Sequence, residues 1–60
     1  MDPNATLQRI EDDLGDHDYT SVREACRDLS SWLARGGFEP QWEAYPAATK
    51  RFRRFQRTGR

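Results

Sequence analysis

The stretch Tyr19-Thr20-Ser21-Val22-Arg23-Glu24-Ala25-Cys26-Arg27-Asp28-Leu29-Ser30-Ser31-Trp32-Leu33 decides the fold class. Its apolar members Tyr19, Val22, Ala25, Cys26, Leu29, Trp32 and Leu33 recur every three or four positions, the repeat that gathers side chains on one face of an α-helix. Arg23, Glu24, Arg27, Asp28, Ser30 and Ser31 fall mostly off that face. Upstream, Asp18 or Ser21 can accept the unpaired amides of the first turn, Ser21 with Glu24 three residues on as a capping box. Downstream, Gly36-Gly37 stops the helix after about 17 residues, and Phe38 is placed to fold back on the last turn in a Schellman-type ending.

Toward the N-terminus, Asp2-Pro3 is a helix start, because Asp accepts first-turn amides and Pro is tolerated where its missing N–H is not needed. Leu7, Ile10 and Leu14 then keep helical spacing, with Gln8, Arg9, Glu11, Asp12 and Asp13 on the other face. Gly15 is expected to end this helix by supplying the left-handed conformation. Only the polar turn Asp16-His17-Asp18 separates the two helices, and helices joined so tightly run antiparallel as a hairpin.

A hairpin leaves one apolar side open, and Phe38, Trp42 and Tyr45 are the residues available to cover it. Pro40 and Pro46 bracket that segment, which limits it to one helical turn or an extended lid. Beyond Pro46, residues 47–57 read as a short helix with Ala48, Phe52 and Phe55 on one side. The expected fold is therefore all-α: an antiparallel two-helix hairpin with an aromatic, Pro-bracketed lid over residues 1–45, and a basic C-terminal helix or tail over residues 46–60.

For sixty residues one small domain is expected, without room in this stretch for a multi-domain enzyme or a solenoid of several repeats. Ile, Leu, Val and Phe together number 9, and a chain of this size buries only about 60% of its unfolded surface, so the core is small and a partner or a second copy is expected to add stability. The 10 basic and 10 acidic groups cancel, but they are segregated. Residues 1–48 carry 4 basic and 10 acidic groups, while residues 49–60 carry 6 basic and none acidic. One cysteine, Cys26, makes no internal disulfide and suits a reducing compartment. No N-terminal basic segment precedes an apolar stretch, and no apolar run has membrane-spanning length. The expected location is the cytoplasm, of the host if the source is a phage, with no membrane contact.

Two resemblances arise. Asp2-Pro3-Asn4-Ala5 with a short helix, followed by Asp18-Tyr19 and a helix of this pattern, is similar to a single tetratricopeptide repeat, whose helices pack as a hairpin. Asp2-Pro3-Asn4-Ala5-Thr6-Leu7 with Trp32-Leu33, Gly36-Gly37-Phe38, Pro40 and Trp42 resembles short helical-hairpin proteins of actinobacteria and their phages. The second likeness covers roughly the first 42 residues and implies a natural helical hairpin without assigning an activity.

The candidate chemistry is sparse. Asp12, Asp13, Asp16, His17 and Asp18 gather carboxylates and an imidazole, and residues 13–24 start and end like a calcium loop. Gly15 and His17 stand at its ligand positions and Asp18 where it needs glycine, so the turn reads as a solvated, helix-capping one with no metal. Cys26 falls in the apolar stripe, away from any base, and reads as a buried structural thiol. With no phosphate loop, nucleophile elbow or paired catalytic carboxylates, no enzyme activity, cofactor or small-molecule substrate is expected.

Two binding surfaces remain. Trp42, Tyr45 and Phe38 are candidate anchors for a protein partner, since aromatics dominate both cores and interface hot spots. Lys50, Arg51, Phe52, Arg53, Arg54, Phe55 and Arg57 interleave cations with aromatics, which suits phosphate neutralisation and base stacking. The same segment could instead dock on the acidic face of the hairpin or stay free. The expected function is a small protein–protein interaction module acting as adaptor, inhibitor or self-associating hairpin; the alternative is nucleic-acid binding through residues 49–60.

Overall fold

The computed structural model of the protein describes residues 1–58. Three α-helices, α1 (Pro3–Gly15), α2 (Tyr19–Ala34) and α3 (Pro46–Thr58), are joined by a three-residue turn and by a longer segment holding the 3-10 turn Trp42–Ala44. No strand occurs among the described residues. The domain measures 30 × 26 × 17 Å, and none of its described helices is long and apolar enough to cross a membrane. The basic segment expected over residues 46–60 ends in Gly59 and Arg60, which lie outside the described residues.

Each helix begins where its local chemistry dictates. The Asp2 carboxylate accepts the amides of Asn4 (3.0 Å) and Ala5 (3.3 Å), with Pro3 at the first helical position. Asp18, not Ser21, caps α2, accepting from the Ser21 amide at 3.2 Å. The Ser21 hydroxyl is thereby free for another use: it donates to the Asp13 carboxylate and accepts from the Arg9 guanidinium at 2.9 Å.

Helices α1 and α2 both end in Schellman geometry, but the first does so in an unexpected way. In α2 the Gly36 amide donates to Leu33 O and the Gly37 amide to Trp32 O, both at 3.0 Å, with Gly36 at φ +84°. In α1 the equivalent bonds run from His17 to Leu14 O (3.2 Å) and from Asp18 to Asp13 O (2.9 Å), so the left-handed residue is His17, at φ +58°. Gly15, expected in that role, is the last helical residue. The turn needs its left-handed residue two places later, so that Asp18 emerges in position to cap α2.

The core is Leu7, Ile10, Val22, Ala25, Cys26, Leu29, Ala48 and Phe52, each at most 1% exposed, with Leu14, Trp32, Leu33, Trp42, Tyr45 and Phe55 packed around it. All three helices contribute, and α1 packs on both α2 and α3. Tyr19, expected in the apolar stripe, is 49% exposed. It opens α2 next to the turn, where the His17 ring, edge-on with centroids 6.0 Å apart, and the Arg51 guanidinium lie against it in place of the apolar core.

Two polar contacts bind the C-terminal part of the chain to α1. The Asn4 side-chain oxygen accepts the Gln41 amide at 2.7 Å, and the Glu11 carboxylate accepts the Ala48 amide at 3.0 Å. The second satisfies one of the unpaired amides of the first turn of α3 with a carboxylate from another helix. Pro46 at the first position and the Tyr45 carbonyl, which receives the Thr49 amide at 2.9 Å, complete that start.

Candidate nucleic-acid interface

Helix α3 divides its residues by face. Ala48, Thr49 and Phe52 are buried and Phe55 is half-buried, while Lys50, Arg53, Arg54 and Arg57 are exposed. The four exposed cations sit at helical spacings of three and four, which sets them in one stripe along the solvent face, about 10 Å long. Phe52 therefore does not interleave with them in space, although it does in sequence. Among the described residues the ion pairs are those of Arg9 with Asp13 and with Glu24, so the α3 cations take no part in one.

Such a stripe has a local cost. Like charges four residues apart, here Lys50 with Arg54 and Arg53 with Arg57, destabilise a helix by about 0.2–0.5 kcal/mol per pair. The helix dipole compensates cations only in the last turn, where Arg57 sits. Lys50 and Arg53 receive no such benefit. The arrangement presents a dense positive line to solvent, and a field of that sign attracts anions.

Of the residues expected as partner contacts, the structure buries Phe52 and leaves Trp42, Tyr45, Arg51 and Phe38 partly or largely exposed. Phe52, expected as a nucleic-acid contact, is 1% exposed and stacks on Trp42 with ring centroids 5.6 Å apart and planes 18° apart. No base can reach it, because its ring fills the space between the helices. Trp42 and Tyr45 are half-buried around the same core, and the Trp42 indole N–H donates to the Glu39 carboxylate at 2.9 Å. Phe38 is 57% exposed, held edge-on against Trp32 at 5.5 Å, with the Trp32 indole N–H donating to the Phe38 carbonyl at 3.0 Å. Arg51 is half-buried, its guanidinium 5.5 Å from the centre of the Tyr19 ring.

That Arg51–Tyr19 contact opens onto a groove of about 320 Å³ between α2 and α3, with Arg23, Arg54 and Phe55 among its walls and Val22 and Cys26 at its base. Tyr19 and Arg23, which the sequence reading does not single out as contacts, also line this groove. Their signal is faint: they stand four apart at the start of α2, one aromatic and one cationic, but a polar face with scattered charge looks the same in sequence. Burial pushes the Cys26 thiol above its ordinary range, and the positive charge of Arg51 draws it partly back.

No family model, curated protein or solved structure matches this chain.

Proposed function

We propose that the protein binds nucleic acid through the exposed face of α3, with Lys50, Arg53, Arg54 and Arg57 as the phosphate contacts. The observation that carries this reading is the stripe itself: four cations on one solvent face, outside every ion pair among the described residues. Along a duplex axis, where each strand carries about one phosphate per 3.4 Å, a stripe of about 10 Å spans roughly three phosphates.

The rest of the chain serves as a platform for that helix. We read α1 and α2 as an antiparallel hairpin, supported by the cross-helix contacts of Arg9 with Ser21 and Glu24 and of Asp13 with Ser21, in which numbers rise on one helix as they fall on the other. Residues 38–45 are read as a lid, supported by Trp42 stacked on Phe52. The apolar side of α3 and the Glu11 contact at its start fix the basic face outward. Docking of α3 on the acidic hairpin is by apolar packing and that one carboxylate, which leaves the stripe available.

A second reading, contact with a protein partner, rests on Phe38, whose ring is more than half exposed beside Trp32 and Gly37. The experiment that separates the two is titration of the protein into labelled oligonucleotides at low salt. Wild type should bind, and the variant with Lys50, Arg53, Arg54 and Arg57 all changed to Gln should not, whereas Phe38→Ala should bind as wild type does. Absence of wild-type binding even at low salt would remove the nucleic-acid reading and leave contact with a protein partner through Phe38.

A further inference from the structure

The groove beside the stripe differs from it in shape and chemistry. Its walls come from both α2 and α3: Tyr19 and Arg23 from the first, Arg51, Arg54 and Phe55 from the second. Three guanidiniums and two aromatic rings thus surround one concavity, and no carboxylate lines it among the described residues. About 320 Å³ is at the lower end of what a small organic ligand occupies. Arg54 belongs to both features, being a member of the exposed stripe and a wall of the groove.

We infer that this groove seats one unstacked nucleotide of a single strand, its base against Tyr19 and Phe55 and its phosphate among Arg23, Arg51 and Arg54. The inference rests on the proposed function and sharpens it from nucleic acid in general to single strands. Aromatic faces accept any base, and arginines supply both stacking planes and paired donors for phosphate oxygens. Arg51 already lies over Tyr19, so its guanidinium and the half-exposed ring are held together before a ligand arrives. A base in a duplex is stacked and paired and cannot enter the groove without being extruded, at a cost the single strand does not bear. The strand runs along the stripe and drops one nucleotide into the groove at Arg54.

The test compares a labelled 12-nucleotide oligothymidine with a duplex of the same length at one salt concentration, using wild type, Tyr19→Ala, Tyr19→Phe and Arg23→Gln. Tyr19 and Arg23 are exposed and outside the core, and a thermal melt of each variant checks that it is folded. Wild type should prefer the single strand. Tyr19→Ala should weaken single-strand binding by about tenfold, the loss expected for one stacked base, and leave duplex binding unchanged. Tyr19→Phe should restore it, and Arg23→Gln should weaken the single strand alone. Equal wild-type affinity for the two forms, or variants that weaken both equally or neither, would overturn the groove and leave α3 as the binding surface. Failure of wild type to bind either form would overturn both readings.

Discussion

The Glu11 carboxylate of α1 lies 3.0 Å from the Ala48 amide of α3, and this bond joins the acidic part of the chain to the start of its basic helix. It pairs a donor that α3 cannot satisfy internally and sets a negative charge at the positive end of the helix dipole.

Glu11→Ala should therefore cost about 1–2 kcal/mol, the range for loss of a helix N-terminal acceptor. Glu11→Gln keeps an oxygen acceptor and should cost less than half as much. Urea denaturation of the three proteins measures both, and a midpoint for Glu11→Ala equal to wild type would show that the contact contributes nothing to holding α3.

The two Schellman turns make opposite predictions for glycine. His17→Gly removes a left-handed non-glycine residue and should stabilise by about 0.5–1 kcal/mol, as should Gly15→Ala, whose added methyl group has open space around it. Gly36→Ala should destabilise by about 1 kcal/mol through its positive φ. Gly37→Ala should also destabilise, for a different reason: its new Cβ would overlap the Trp32 ring, which must move off its place beneath Phe38. Melting temperatures rank the four, and destabilisation by His17→Gly would contradict the turn geometry described above.

How far the sequence discloses this structure depends on the range of the interaction. The helical stripes of α1 and α2, Asp2 as a cap, Gly36-Gly37 as a stop and Pro46 ahead of the third helix are local signals, and the structure follows them. The left-handed residue at His17 was not legible, because glycine is the stronger candidate wherever one stands nearby, and only the geometry linking α1 to the Asp18 cap moves the turn past Gly15. Glu11 capping α3 from 37 residues away leaves no mark in sequence. The site was half legible: the cations of α3 were evident, but Phe52 alternates with arginines in sequence while pointing to the opposite side of the helix. Tyr19 and Arg23 join the site only because α3 packs beside α2.

Cys26 gives the fold a specific dependence on alkaline pH. Its thiol is 1% exposed and its ionisation is raised by burial. Below the ordinary thiol range, about pH 8.5, the group is protonated whether the chain is folded or not, and its burial stabilises fully. As pH rises further, the unfolded chain ionises first, so this contribution is lost toward the higher folded value. Thermal melts of wild type and Cys26→Ala between about pH 7 and pH 10 should show their difference in stability shrinking as pH rises. A constant difference would place the thiol in contact with solvent.

The cationic stripe should be neutral or costly for folding. Changing Lys50, Arg53, Arg54 and Arg57 to Gln removes two repulsive pairs of about 0.2–0.5 kcal/mol each and one favourable charge near the helix end, so the melting temperature should stay level or rise slightly at low salt. If the stripe instead held α3 to the acidic helices, the same variant would melt lower, and the deficit would shrink as salt screened it. A melting temperature clearly below wild type at low ionic strength would contradict the unpaired state of these residues.

The most direct test of the central claim is the salt dependence of oligonucleotide binding by wild type and by the variant with all four stripe residues changed to Gln, followed by fluorescence anisotropy of a labelled single strand. Each phosphate neutralised contributes about −0.7 to the slope of log affinity against log salt for a single strand. Contacts from about three or four stripe cations therefore contribute about −2 to −3 to the wild-type slope, and the variant should lose that contribution together with most of its affinity at low salt. Wild-type binding that is absent at low salt, or a slope unchanged by removal of the four cations, would contradict the account.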